Sequence, residues 1–505
     1  MASVSQLSRT AFPRFQERTI VLFLCLLAAV HIFILSAAFP FFNVVDEQYH
    51  FDLVVRYSHG ELPHAIDTTT AEAVPYIAIF GTPEYFWPRS TFAVTGIPPP
   101  LWQQPEKMLP HVLKTETFWS TQVNPESVQP PLYYVLAGLW WRLSELCGLH
   151  DGVLLYAVRF LNIFFVIALV WVGFITARLV FPENVFPRMA VPTLLAFLPQ
   201  TTFYSINNDV LSPLVFGVAF VCVIRMWQAD VPGIPIGMAT GFAIAATYLV
   251  KISNLPAIGV ISVAIVMKLW QLRETGRLRP ALPSLATLAL CACVPICGWL
   301  AWMHFHFGDF TGTSVKTASL GWTLKPFADW WHHPIFTLQG LWTFISGLVT
   351  TFWQGEFLWY GQPMTFPATD TIYTLISLGL ISVAFIMLIP RFTQTSISQR
   401  RVLWFGFWIL ATSVAFLAFL SIIYDFHDCF YPSRLHPYFT SGRLLGAALI
   451  PFLLLFVYGL DCAVSHFKYK HGRLIALAGF VLFMLITEIN VAWPVFSNEY
   501  NWFHM

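Results

Sequence analysis

The chain is short of charge: of its 505 residues only 10% are Asp, Glu, Lys or Arg, against roughly 25% in an ordinary soluble domain. That scarcity excludes a set of water-soluble domains, whatever the length suggests. Neither sign is in excess, and a formal charge of +1 leaves no basic footprint for a nucleic-acid partner. Cysteine is sparse as well. Six of the eight, Cys25, Cys222, Cys291, Cys293, Cys297 and Cys462, lie within apolar stretches. Cys147 and Cys429 remain for aqueous loops, which gives neither a disulfide framework nor zinc-ligand spacing. No strand runs into a glycine-rich turn and no hydrolase nucleophile signature occurs, so the sequence offers no nucleotide domain and no serine or cysteine hydrolysis.

What is abundant is apolar: 57% of the residues are hydrophobic and 17% aromatic. About 20 apolar residues cross a hydrocarbon core. Eleven runs read as spans: Thr19–Phe41, Leu154–Ala177, Met189–Ser205, Val210–Trp227, Ile234–Val250, Leu255–Met267, Ala281–His304, Thr371–Pro390, Val402–Ile423, Leu444–Ala463 and Leu474–Trp493. The expected fold is an all-α polytopic membrane protein, a single membrane domain of about 11 transmembrane helices. The first run exceeds a signal-peptide h-region and reads as an uncleaved anchor.

Arg9, Arg14 and Arg18 precede that run, so residues 1–18 are expected in the cytoplasm. With eleven spans, Arg178 and Arg188, Arg225, Lys268 to Arg279, Arg391 to Arg401, and Lys468 to Arg473 all fall on the same side. Two large extracytoplasmic loops follow, residues 42–152 and 305–370. The apolar runs Pro131–Leu146 and Ile335–Trp353 are left out of the spans, because counting the first would invert every later basic cluster; both read as juxtamembrane helices.

Ionisable side chains at a bilayer rim are costly and point to function. Asp46 and Glu47 follow the first span, Arg159 opens the second, Asp209 follows the third, Lys251 closes the fifth and Arg443 opens the tenth. All six map to the outer rim, whereas a coupled transporter is expected to hold such groups near the midplane. Each has a plainer reading. Arg159 and Arg443 can anchor by snorkelling, Lys251 can simply end a helix, Asp209 with Asn207 and Asn208 can cap one, and Asp46–Glu47 can start a solvated loop. Taken together they suit group transfer from a phosphorylated lipid. Asp46 would accept the proton of an incoming hydroxyl, and Lys251, Arg443 and Arg159 would stabilise the departing phosphate.

The segment VVDEQYHFDLVVRYSHGELP, Val44–Pro63, resembles the first-loop signature of the GT-C superfamily of membrane glycosyltransferases, and most nearly that of a bacterial DUF2142-type family of predicted membrane proteins. Further segments are similar to later family motifs, in order: QPPLYYVLAG from Gln129, VRF around Arg159, LPQTTFYSINNDVL from Leu198, LVKISNLP from Leu249, TFWQGEFLWYGQP from Thr351 and FTSGRLLGAALIP from Phe439. The resemblance implies a GT-C-like bundle in the plasma (inner) membrane with its active site on the extracytoplasmic face. It also implies a polyprenyl-phosphate-linked sugar donor and a glycan, lipid or protein acceptor. On this reading Asp46, Glu47 and Asp209 are catalytic, Arg159, Lys251 and Arg443 hold the donor phosphate, and His50, Arg56, Tyr133, Asn208 and Glu356 line the acceptor pocket. Some GT-C enzymes use a divalent metal and others do not; two carboxylates with His50 offer ligands, but no spacing compels one and no cofactor is assigned. The chain departs from the family pattern at Val45, Gln48, Tyr49 and Leu444, which bears on the acceptor contacts. The competing classes are a transporter or flippase of lipid-linked sugars and a scaffolding membrane subunit.

Overall fold

Inside a bilayer the backbone must satisfy its own hydrogen bonds, so apolar runs without polar relief fold as helices. The computed structural model describes residues 14–505 apart from 45, 95, 392–394, 430 and 466–470. Most of the 1–18 tail with Arg9, Val45 of the first motif, and Lys468 and Lys470 therefore lie outside the described residues. All eleven expected runs contain a helix. Among the described residues, nine helices are long and apolar enough to cross a membrane: Gln16–Ala38, Asp151–Val180, Asn208–Gln228, Ile252–Glu274, Leu278–Phe307, Pro367–Leu388, Ile397–Ile423, Gly442–Ser465 and Gly472–Phe496. The protein is an all-α polytopic membrane protein; among the described residues, strand is confined to two antiparallel ladders of two residues each, Thr323–Leu324 with Tyr424–Asp425 and Leu358–Trp359 with Gln362–Pro363.

The count falls short of eleven for a physical reason at each of two places. The expected span Met189–Ser205 is not one helix: Val185–Ala196 is helical, and the chain then proceeds through single 3-10 turns at Thr201–Phe203 and Asn208–Val210. Pro199 disfavours helix at Leu198 before it, so the polar segment that follows leaves the helical ladder. The other, Ile234–Val250, has 17 residues, about 26 Å of rise against a core of about 30 Å. The juxtamembrane runs form the helices Leu132–Leu146 and Leu338–Gln354. Arg159 also departs from expectation. Its helix begins at Asp151, so the guanidinium sits two turns inside and not at the helix mouth.

The helix Leu449–Ser465 is buried over nearly all its length and forms the axis of the bundle, as expected of a helix apolar on every face. Pro367–Leu388, Ile397–Ile423 and Val185–Ala196 pack against it; elsewhere the first helix packs on Asp151–Val180, and Ile234–Val250 on Leu278–Phe307. Gly237 and Gly241 allow the last of these contacts. A Cβ at either position would collide with the backbone carbonyl of Ser284 or of Leu288, the close approach that small residues four apart permit between membrane helices. That packing holds the helix whose C-terminal cap is Lys251.

Gly241→Ala should therefore destabilise the protein by about 1–3 kcal/mol through overpacking. Gly298→Ala, on the partner helix where an added Cβ meets nothing, should be neutral or slightly stabilising. Thermal unfolding of the two detergent-solubilised variants checks this.

Candidate functional site

One guanidinium gathers the site. Arg443 stands in the 3-10 turn Gly442–Ala448 that leads into the axial helix. Its Nη2 donates to Asp46 Oδ2 at 2.6 Å and its Nη1 to Asp209 Oδ2 at 3.2 Å. Nε lies 2.9 Å from Glu356 Oε2 as an ion contact. The approach depends on Gly442, where a Cβ would overlap the backbone of Phe352 and Leu348; its N–H donates to Thr351 Oγ1 at 2.8 Å.

Each carboxylate is delivered by an irregular segment. Asp46 caps the helix Glu47–Ser58 with φ of 66°, left-handed backbone that Asp tolerates better than most residues and that carries strain. Val44 beside it bridges to Phe357, which draws the first loop alongside Glu356. Glu356 follows Gly355, whose φ of 75° ends the Leu338–Gln354 helix, and the Ser441 hydroxyl donates to its other oxygen. Asp209 lies on the segment that follows the broken helix, its N–H held by Asn207 Oδ1 at 2.8 Å. The same segment is stapled to the Glu356 loop by Gln200 Nε2 on Phe352 O at 2.8 Å and by Glu356 N on Thr201 Oγ1 at 3.0 Å.

A second cation completes the cluster. Lys251 Nζ bonds Asp209 Oδ1 and reaches Asn208 Oδ1 at 3.3 Å. Burial pushes the Lys251 ammonium down from its ordinary range while Asp209 opposes that shift. From Asn208 the hydrogen bonds run to Gln129 Oε1 at 3.2 Å, from Gln129 to Glu126, and from Lys316 Nζ to Glu126 at 2.7 Å. Burial alone would raise the Glu126 carboxyl, but Lys316 and His50 outweigh it and hold the group well below the usual carboxylate range. The acids are unequal in access. Asp46 is 29% exposed, Glu356 11% and Asp209 1%.

Three neighbours in the first motif go three different ways. Asp46 turns to Arg443. Glu47 is fully buried against Arg159, whose Nε and Nη2 grip it at 2.7 and 2.6 Å. Glu47 also accepts the N–H groups of Phe42 and Ile206, both at 2.9 Å, and Arg159 also donates to the carbonyls of Ser36, Phe39 and Pro40. Every edge of this pair is used for fastening the first helix, the first loop and the Asp209 segment to one another. His50 stacks with Tyr134 and bonds its hydroxyl through Nδ1 at 2.6 Å, while Nε2 finds no partner among the described residues. Burial, only partly opposed by Glu126 and Asp46, pushes the His50 imidazole down to about 4.

The structure thus brings Asp46, Asp209, Glu356, Asn208, Lys251 and Arg443 together. Glu47 and Arg159 form a separate pair. Arg56 braces the loop, bonding Asp52 at 3.2 Å and Thr68 O at 2.6 Å, and Tyr133 is buried against Tyr134. Two carboxylates and His50 do not converge as metal ligands, and among the described residues no group of three or more His, Cys, Asp or Glu is placed to hold a metal ion. Sequence reasoning missed Glu126, Gln129, Ser441 and Lys316. Gln129 and Ser441 stand in quoted motifs, but nothing in the sequence marked Glu126 or Lys316.

Adjacent carboxylates should behave oppositely. Glu47→Gln strips the fully buried Arg159 of its counter-ion and should cost about 3–5 kcal/mol, whereas Asp46→Asn, part-exposed, should cost about 1 kcal/mol or less; thermal unfolding of the two variants decides it. His50 sets a pH dependence. With its native value lowered, the unfolded chain takes up a proton first, so stability is full above about pH 6.5 and falls as pH drops towards about 4, by up to about 3 kcal/mol. His50→Asn should flatten that slope in unfolding midpoints measured from pH 7 to pH 4.

A search of curated proteins returns no match. Among solved structures the chain is similar to the archaeal oligosaccharyltransferase AglB from Archaeoglobus fulgidus in complex with an inhibitory peptide and a dolichol-phosphate. Identity is 10% and the TM-score 0.41, over 97% of this chain and 56% of that one. It is also similar to an Archaeoglobus fulgidus oligosaccharyltransferase in complex with Zn and sulfate, at 10% identity and TM-score 0.38, over 93% of this chain and 52% of that one. The chain spans about half the length of these proteins. A family described as "Predicted membrane protein (DUF2142)" matches residues 27–424. With most of its length matched, this chain belongs to the DUF2142 family of membrane proteins.

Proposed function

We propose that the chain is a membrane glycosyltransferase of GT-C type, moving a sugar from a polyprenyl-phosphate-linked donor to a hydroxyl of a cell-envelope glycan, lipid or protein on the extracytoplasmic face. The observation that carries this reading is the sharing of Arg443 by Asp46, Asp209 and Glu356, with Asp46 the acid most open to solvent. Asp46 is the base: it takes the proton of the acceptor hydroxyl as that oxygen attacks the anomeric carbon. The bond from that carbon to the phosphate oxygen breaks, and the polyprenyl phosphate leaves with its charge on Arg443 and Lys251.

The cavity beside Arg443 and Asp209 is about 20 Å³, room for about one water. A phosphate therefore reaches Arg443 from the open Asp46 side, displacing carboxylate contacts and freeing Asp46 as it binds. Asp209, shielded and held by two cations, orients Lys251 and Arg443. Glu47 and Arg159 act as framework, and so do Arg56 and Tyr133, with His50 and Asn208 in the wall behind the cations.

A strain lacking the gene, complemented with wild type or Asp46→Asn, tests the reading by mass spectrometry of envelope glycans and lipid-linked sugars. Loss of a base should lower transfer by about 10²–10⁴-fold, with a sugar missing from the glycan and its lipid donor accumulating. Full activity of Asp46→Asn, with donor building up only in the inner leaflet of the uncomplemented strain, would identify a flippase.

A further inference from the structure

Three polar side chains outside the site meet within the helix bundle. His31 lies seven residues before the end of the first helix at Ala38, and Glu488 eight before the end of the last helix at Phe496. Both positions are about 10–12 Å below the helix ends. His31 Nε2 is 2.7 Å from Glu488 Oε2, and Nδ1 is 3.2 Å from the carbonyl oxygen of Ala196. The Tyr204 hydroxyl bonds the other oxygen, Oε1. His31 and Glu488 are 12% and 7% exposed. An ionisable pair at this depth is costly and calls for a role, and the transfer chemistry above gives it none.

A carbonyl only accepts, so Nδ1 of His31 carries a hydrogen. Nε2 then faces a carboxyl oxygen at hydrogen-bond distance, and one proton must lie between them, whether the pair is written as imidazolium with carboxylate or imidazole with carboxylic acid. Ala196 is the last residue of the broken helix Val185–Ala196, whose terminal carbonyls have no partner within it. His31 thus caps that end, and Glu488 reaches past it to Tyr204, five residues before Asp209. Farther along, the segment is tied by Asn162 Nδ2 on Ser205 O at 2.7 Å and by Glu47 on Ile206 N.

We propose that His31 and Glu488 are positioning residues: their shared proton and the Tyr204 hydroxyl fix the Leu198–Asp209 segment at its entry and at its middle, and through it the carboxylate of Asp209 against Arg443. Neither touches substrate. The consequence for activity rests on the transferase reading, but the effect on the segment does not.

The test uses the full chain in lipid nanodiscs, with amide hydrogen exchange over residues 198–209, beside transfer in the complemented strain. Glu488→Gln keeps the geometry, since the amide N–H donates to Nε2 and the amide oxygen accepts from Tyr204. It should exchange like wild type and retain transfer within about threefold. His31→Leu and Glu488→Leu should each speed exchange across 198–209 and lower transfer by about tenfold, with the axial helix 449–465 unchanged as the sign of an intact fold. Tyr204→Phe, the gentlest cut, should speed exchange severalfold. Unchanged exchange at 198–209 in Tyr204→Phe and the Leu variants overturns the proposal whatever happens to transfer. Glu488→Gln as impaired as Glu488→Leu overturns it in favour of a need for charge. Faster exchange with no transfer even by wild type keeps the positioning and removes the transferase reading.

Discussion

Arg443 answers to three carboxylates drawn from three remote parts of the chain, and no two of them can be brought together without the turns that deliver them. Like charges at this spacing repel, and two of the three are nearly shut off from water. A cation between them is what makes the cluster tenable. The geometry follows from that requirement: a strained left-handed Asp46, a glycine at 442 where no side chain fits, and a broken helix that carries Asp209 inward. Lys251 offsets the remaining charge on Asp209 from the opposite side.

Such a site is also poised for exchange of partners. A guanidinium held by acids binds a phosphate by letting acids go, and its planar fork is suited to both. On the proposed reading, the least shielded acid, Asp46, lies on the side from which the phosphate comes. Beneath it the Glu47–Arg159 pair does the opposite work. Completely buried, with every hydrogen-bonding edge occupied, it locks the first helix to the loop that presents Asp46. On the proposed reading, two adjacent acids in one motif are divided between chemistry and framework by a difference in burial.

Much of the fold was legible because hydrophobic length is a strong signal in a membrane protein. All eleven apolar runs hold a helix. The third run reads as a full span because hydropathy averages over Pro199 and over Gln200 to Ser205, whose polarity is satisfied by distant partners such as Phe352 and Glu356. The convergence of Asp46, Asp209, Lys251 and Arg443 was readable from their shared position at run ends. The same ground gives Arg159 to the phosphate, but its helix starts earlier than hydropathy suggests, so the side chain falls inside the bundle. Glu126 and Lys316 escaped because each lies in an outlying loop, and only tertiary packing shows that they extend the network by way of Gln129. The His31–Glu488 contact joins residues 457 apart, a separation no local pattern reports.

The most direct test of the account is where a polyprenyl phosphate binds. A structure of the full chain in nanodiscs, determined with a polyprenyl phosphate added, should show the phosphate oxygens on Arg443 and Lys251, with Asp46 released from the guanidinium and turned to solvent. A phosphate seated elsewhere, with Arg443 still held by Asp46, Asp209 and Glu356, would contradict it.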